Sequence, residues 1–189
     1  MSGKVGAYKL EDQLGRGGMG VVYKAIHEPT GLPVAIKMMR KEPATSRAHS
    51  LFLNEITQAS KLNHANITSI FDYGETTLED ARSSDHIHVD QPYIVMELAR
   101  RGSLDVLDDV LVWQDLYGII QSLLKALAHA HARGILHRDI KPGNILLGST
   151  EDLRPSIKLT DFGLAFAQSG GVSPETGLRI VGTPEYMAP

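Results

Sequence analysis

The chain has 189 residues, 42% hydrophobic and 22% charged, which is enough apolar content for a sizeable core and unlike a disordered composition. Its formal net charge of −3 speaks against nucleic-acid binding through bulk charge, and the absence of cysteine rules out disulfides and thiolate metal sites and suits a reducing compartment. The start, "MSGKVGAYKLEDQLG", lacks a long apolar stretch behind its lysine, and no run approaches the roughly 18 to 20 apolar residues of a membrane span, so neither a secretory signal nor a membrane segment is expected and a cytoplasmic location is.

The first forty or so residues read as strands. "YKLEDQLG" runs into a glycine cluster, "VVYKAIH" follows, and a turn at Pro29–Thr30–Gly31 leads to "PVAIKMM". From Ser50 onward Phe52, Ile56, Ala59 and Leu62 recur at helical spacing, which predicts an amphipathic helix ending near Asn63. "NITSIFDYG" and "PYIVMELA" are two further strands, and the polar, acidic "ETTLEDARSSDHIHVDQ" between them reads as a solvated loop. After a short polar joint at Arg100–Gly102 the character becomes helical. Leu116, Ile119, Ile120, Leu123, Leu124 and Leu127 form a helical stripe, with Asp115 as its N-cap and Gly134 as its stop. A strand-rich first half and a helical second half predict two lobes.

Four stretches carry chemistry. "LGRGGMGVV" sets Gly15, Gly17 and Gly20 between two predicted strands, where glycines let backbone N–H donors approach phosphate oxygens. A dinucleotide-binding fold would need a helix straight after those glycines, and "VVYKAIH" is a strand. Lys37 ends the aliphatic strand "VAIK", and Glu55 lies on the predicted helix as an acid that could hold it extended toward phosphate. "HRDIKPGNILL" brings Asp139, Lys141 and Asn144 close together; taken alone it is either a converging site or an ordinary turn marked by Pro142–Gly143. Asp161-Phe162-Gly163 follows the predicted strand "SIKLT", and a carboxylate there suits Mg²⁺. His86, His88, His129, His131 and His137 have no spacing that suggests a zinc site.

In this order the set resembles the protein kinase family: the glycine-rich loop with Val22 behind it, then Val34-Ala35-Ile36-Lys37, then Glu55. It continues with His137-Arg138-Asp139 and Asn144, Asp161-Phe162-Gly163 and "GTPEYMAP", and its wording is most similar to the eukaryotic-like serine/threonine kinases of bacteria. The resemblance covers nearly the whole chain. It implies an α+β, two-lobed fold: a small lobe over 1–99 with an antiparallel sheet, and a mainly helical large lobe over 100–189, incomplete because the chain stops at Pro189. It also implies transfer of the ATP γ-phosphoryl group to serine or threonine hydroxyls of proteins by the parent protein, with the chain to Pro189 expected to be poorly active by itself.

By the same resemblance Asp139 accepts the proton of the substrate hydroxyl, and Lys141 neutralises charge on the transferring group. Asn144 and Asp161 hold Mg²⁺, with Mn²⁺ as the alternative, and Lys37, braced by Glu55, holds the α- and β-phosphates. Leu14, Gly15, Gly17, Gly18 and Gly20 line the nucleotide. Val22, Ala35 and Leu146 sandwich the adenine, with Met96 as gatekeeper and Glu97 and Ala99 offering backbone hydrogen bonds. Lys141-Pro142 and Thr183 match the serine/threonine branch. Arg138 implies a phosphorylated switch residue among Ser169, Ser173, Thr176 and Thr183, with Ser173 or Thr176 favoured and self-phosphorylation in trans as a route. Ala59 stands where the family has a larger aliphatic stacking with Phe162 and His137, which implies a looser link between helix and catalytic loop. Two rival readings are a non-catalytic nucleotide-binding pseudokinase or scaffold and a small-molecule kinase of related fold.

Overall fold

The computed structural model describes residues 3–18, 20–40, 46–107, 111–154, 156–162 and 184–186, with 46–52 as backbone only. The chain forms two compact units: Met1–Pro43 with Ile70–Leu98, and Ala44–Ser69 with Ala99–Pro189.

The first unit is an antiparallel sheet of β1 (Gly3–Val5), β2 (Tyr8–Gly17), β3 (Gly20–His27), β4 (Leu32–Met39), β5 (Ile70–Glu75) and β6 (Pro92–Glu97), in the order β1-β2-β3-β4-β6-β5. The predicted turn closes through Gly31, whose N–H donates to the His27 carbonyl at 2.8 Å and whose φ of 69° suits glycine. Alternation along β4 divides the sheet into two faces. Val34, Ile36 and Met38 face one side and join Leu10, Tyr23 and Val95 in the core. Ala35 and Lys37 face the other, opposite Met96 and Ile94. Because β4 is central and covered on both faces, its pattern is a continuous apolar run broken by one lysine.

Gly20 opens β3 with a φ of 146°, and a Cβ there would run into the Met38 carbonyl of the paired strand. Gly20→Ala is therefore expected to destabilise the sheet by about 1–3 kcal/mol or more, through strain and main-chain clash together. Chemical denaturation followed on this unit checks it; an unchanged midpoint would mean that the β3–β4 register yields without cost.

The segment read as a solvated loop is ordered structure. Thr77 and Asp80 form a capping box at the start of α2 (Leu78–Ser83): Thr77 Oγ1 accepts from the Asp80 N–H at 3.2 Å, and Asp80 Oδ2 accepts from the Thr77 N–H at 2.7 Å. Asp80 Oδ1 also accepts from the Gly6 N–H at 2.8 Å, and Ser83 Oγ accepts from the Lys4 N–H at 2.8 Å, so α2 is tied to β1. Ile87 is buried in the core, and Gln91 Nε2 donates to the Met39 carbonyl at 2.8 Å. The high polarity that suggested solvation satisfies main-chain groups instead.

The second unit contains α1 (Ser46–Ala59), α3 (Trp113–His131) and a small hairpin of β7 (Ile145–Leu147) and β8 (Ile157–Leu159). α1 ends before Asn63 because its last turn tightens: the Lys61 and Leu62 N–H groups donate three residues back, to Gln58 and Ala59. The strand expected over "NITSIFDYG" begins only at Ile70. Its first residues bind β8 instead, with the Leu159 N–H donating to Asn66 at 2.9 Å and the Thr68 N–H to Leu159 at 3.1 Å. Val112, not Asp115, is the N-cap of α3, and Asp115 sits in the first turn, where its charge suits the helix dipole. Gly134 does close that helix, with a φ of 71° and the Ile135 N–H donating to Ala130 at 3.0 Å. The helix packs on β8 and buries Ile119, Ala126 and Ala130, while Leu116, Ile120 and Leu124 of the expected stripe are exposed. Small alanines permit a closer approach to the strand than leucines would. No described helix is long and apolar enough to cross a membrane.

Candidate functional site

In the first unit the sequence-predicted residues share one sheet face. The register sets Gly15 opposite Val22, Val22 opposite Lys37 and Lys37 opposite Ile94, with Ala35 opposite Met96 two residues along. Directly opposed residues point to the same side, so Val22, Ala35, Lys37 and Met96 form one patch, away from the Ile36–Val95 core. Lys37 is 5% exposed, whereas Leu14 is 50% exposed and Gly17 and Gly18 lie open at the β2–β3 tip. Among the described residues, no heavy atom beyond the immediate chain neighbours lies within 4 Å of where a Cβ on Gly15, Gly17 or Gly18 would stand. Glu97, opposite Val34, is 2% exposed and ends β6.

In the second unit the stretch from His137 to Leu147 resolves the ambiguity left by its sequence: it is both a turn and a convergence. Pro142–Asn144 form a short 3₁₀ turn that feeds β7, and the Asn144 N–H donates to the Lys141 carbonyl at 2.9 Å. Around that turn Lys141 Nζ lies 2.8 Å from Asp139 Oδ2. Asn144 Nδ2 donates to the Asp139 carbonyl at 2.7 Å and to Asp139 Oδ2 at 3.1 Å. Asp139 and Asn144 are each 5% exposed, so the carboxylate is held in a defined direction by a cation and an amide. With Nδ2 committed to Asp139, the amide oxygen is the atom Asn144 can offer to a cation. Leu146 is half-buried on β7, and Ala99 is half-buried at the start of this unit.

His137 supports this loop from beneath. Its Nδ1 accepts from the Asp139 N–H at 3.2 Å, so the ring proton is on Nε2, which donates to the Thr160 carbonyl at 2.7 Å. The ring meets Phe162 edge-on, centroids 4.6 Å apart, so the two are packed together. Arg138 and Asp161, with φ of 67° and 64°, are two of three non-glycine residues in the left-handed region among the described residues, a strain found often at functional sites. Glu55 Oε1 lies 3.9 Å from Arg138 Nη1. Gly163 and the switch candidates Ser169, Ser173, Thr176 and Thr183 lie outside the described residues.

Burial pushes the His137 imidazole below its usual 6.5, against the opposing pull of the Thr160 bond and of Asp161 and Asp139. A histidine depressed in the folded state binds fewer protons than the unfolded chain. Its contribution to stability is complete above about 6.5 and is lost as pH falls from there through its lower folded value. Protonation at Nδ1 would also remove the acceptor of the Asp139 N–H. The denaturation midpoint is expected to fall between pH 7.5 and 5.5, and less steeply in His137→Asn; a flat profile in the unsubstituted protein would contradict the assignment. His64 and His129, whose rings stand 5.0 Å apart and whose values burial also lowers, act in the same direction.

Three residues on this part of the molecule had no signal in the sequence: Asp152, Arg154 and the Thr160 carbonyl. Asp152 and Arg154 bind main-chain groups distant in the chain, and the Thr160 carbonyl accepts from the distant His137 ring, pairings that no spacing rule reveals.

Residues 8–189 match the family described as "Protein kinase domain". The chain is 35% identical to a probable serine/threonine-protein kinase PknB of Bifidobacterium longum over 97% of this chain and 26% of that protein. It is 34% identical to the serine/threonine-protein kinase Pkn1 of Myxococcus xanthus, over 98% of this chain and 25% of the relative. Against PknA of Mycobacterium tuberculosis the identity is again 34%, over 97% and 41%. The chain thus spans between a quarter and about two-fifths of these relatives. Among solved structures, the kinase domain of Mycobacterium tuberculosis PknI is similar with a TM-score of 0.68 and 27% identity, over 92% of this chain and 69% of that one.

Proposed function

Because the chain belongs to the protein kinase domain family, we propose that the parent protein transfers the γ-phosphoryl group of ATP to serine and threonine hydroxyls of protein substrates. The observation that carries this is the buried Asp139 carboxylate, aimed by Lys141 at 2.8 Å and by the Asn144 amide at 3.1 Å. Phosphoryl transfer needs positioning and charge stabilisation more than covalent chemistry, and this cluster provides both.

Asp139 orients the substrate hydroxyl and accepts its proton, while Lys141 stabilises the negative charge of the transferring group. Lys37 holds the α- and β-phosphates, the backbone of Gly15, Gly17, Gly18 and Gly20 covers them, and Leu14, Val22, Ala35 and Met96 flank the base. The main chain of Glu97 and Ala99 offers hydrogen bonds to it, with Leu146 against the ring. Members of this family use ATP with a divalent metal. Here Mg²⁺, or Mn²⁺ in its place, would be held by the Asn144 amide oxygen and the Asp161 carboxylate and would neutralise phosphate charge. Hard oxygen donors of this kind suit it, and among the described residues no group of three or more His, Cys, Asp or Glu could hold a metal by itself. The remaining ligands would then be phosphate oxygens and water. Lys141-Pro142 and Thr183 favour serine and threonine over tyrosine, and self-phosphorylation in trans at Ser173 or Thr176 is the proposed switch.

Incubation of the full-length parent protein with Mg·ATP labelled on the γ-phosphate, with myelin basic protein as acceptor, tests the reading. Label on phosphoserine and phosphothreonine is expected. Label confined to phosphotyrosine, or ATP binding with no transfer, would overturn it.

A further inference from the structure

The polypeptide passes between the two units at three places: after Pro43, after Ser69 and after Leu98. One short loop of the second unit, between β7 and β8, grips the chain beside two of them. Asp152 takes the crossing at Leu98. Its side chain is 1% exposed, and both carboxylate oxygens accept from the Arg100 N–H at 3.3 Å. Asp152 Oδ1 lies 3.4 Å from Arg100 Nε, and Oδ2 accepts from the Ser149 N–H at 2.7 Å, which fixes the carboxylate within its own loop. Arg154 takes the crossing at Ser69. Its Nη1 donates to the His64 carbonyl at 3.3 Å, and its Nη2 donates to the Ile67 carbonyl at 3.1 Å and to Ser69 Oγ at 2.6 Å.

Neighbouring groups reinforce the second grip. Ser156 Oγ and Lys158 Nζ both donate to the Ala65 carbonyl, at 2.6 and 3.1 Å, and Asn66 Nδ2 donates to Ile157 at 2.8 Å. Lys158 is fully buried, so its charge is set against main-chain oxygen instead of water. Gly148 makes the loop's turn feasible, because a Cβ there would stand 2.5 Å from both the N and O of Ser156. Charge-assisted hydrogen bonds to main-chain groups are among the stronger polar contacts, and here they converge from residues only two apart in sequence.

We propose that Asp152 and Arg154 are positioning residues: one loop anchors the second-unit ends of two inter-unit connections, and thereby sets the rate of phosphoryl transfer without touching nucleotide or substrate. The same loop continues into β8 and so to Asp161, which links the anchor to the candidate metal residue along the main chain. The inference rests on the transfer activity proposed above. Loss of either grip would let a connection drift, and sub-ångström to ångström misplacement of reacting groups lowers turnover more than binding.

The test uses the whole protein with Asp152→Ala, Arg154→Ala and Arg154→Lys. Hydrogen exchange should show the Arg100 amide deprotected in the first, and the Thr68 and Leu159 amides deprotected in the second, with protection of β3 and β4 unchanged. kcat should fall roughly ten- to a hundredfold in both alanine variants with the KM for ATP altered less than about threefold. Arg154→Lys should recover only part, since one ammonium cannot reach the three acceptors of a guanidinium fork. Retained protection at those amides overturns the anchor. So does an unchanged kcat, or a fall in kcat matched by an equal fall in the folded fraction. If the unsubstituted protein transfers no phosphate, the functional proposal fails, and the exchange measurement still decides whether the loop anchors the connections.

Discussion

Asp139→Asn is expected to lower the rate of phosphoryl transfer by about 10²- to 10⁴-fold, the usual contribution of a positioned general acid–base group. The substitution changes little else. Asparagine has nearly the shape of aspartate, and the loop retains the bond from Asn144 Nδ2 to the main-chain carbonyl of residue 139 at 2.7 Å. The Asp139 N–H likewise keeps its acceptor on His137. Lost are the charge that Lys141 faces at 2.8 Å and the lone pairs that would receive a hydroxyl proton. Thermal stability should therefore stay close to that of the unsubstituted protein, and the KM for ATP should move less than about threefold, while kcat collapses. Steady-state kinetics on both proteins decides it. A change confined to KM would make Asp139 a binding group and the proton-acceptor role wrong.

Lys37→Met should abolish most of the transfer through a different term. Lys37 is 5% exposed between Val22 and Ile94 on neighbouring strands, so its stem is packed like an aliphatic side chain and only its tip is polar. Methionine preserves that stem and its approximate volume, so the strand register should hold. Removing a preorganised cation from phosphate oxygens in a water-poor site costs about 10²- to 10³-fold in rate, by analogy with the loss of one electrostatic stabiliser. Circular dichroism should superimpose on that of the parent protein while turnover falls. Equal turnover by the two proteins would remove Lys37 from the phosphate site.

The two substitutions differ in how far sequence alone could motivate them. Lys37 was read from the sequence as the end of the aliphatic strand "VAIK", with its role implied by the family resemblance; the structure sets it inside the central strand β4, opposite Val22 and Ile94. Asp139, Lys141 and Asn144 were legible as a cluster, but a Pro-Gly turn explains their proximity equally well until their side chains are seen to meet. The acidic insert misled for the converse reason. Its Thr77 and Asp80 carry a capping signal three residues apart, masked by a composition typical of solvent-exposed loops.

What local sequence determined in this protein is the strand periodicity of the first unit, the glycine turn at Gly31, the closure of α3 at Gly134 and the residue types of the candidate site. These depend on alternation, on left-handed backbone and on chemistry carried by single residues, all of which are properties of short segments. Tertiary structure alone decided that Asn66–Thr68 pairs with β8 instead of extending β5, that α3 buries alanines while Leu116, Ile120 and Leu124 are exposed, and that Asp152 and Arg154 hold main chain far from them. In each case the partner is a backbone group or a flat surface tens of residues away. A carbonyl has no side-chain identity, so nothing in the local sequence marks it as the place where a distant carboxylate or guanidinium will bind.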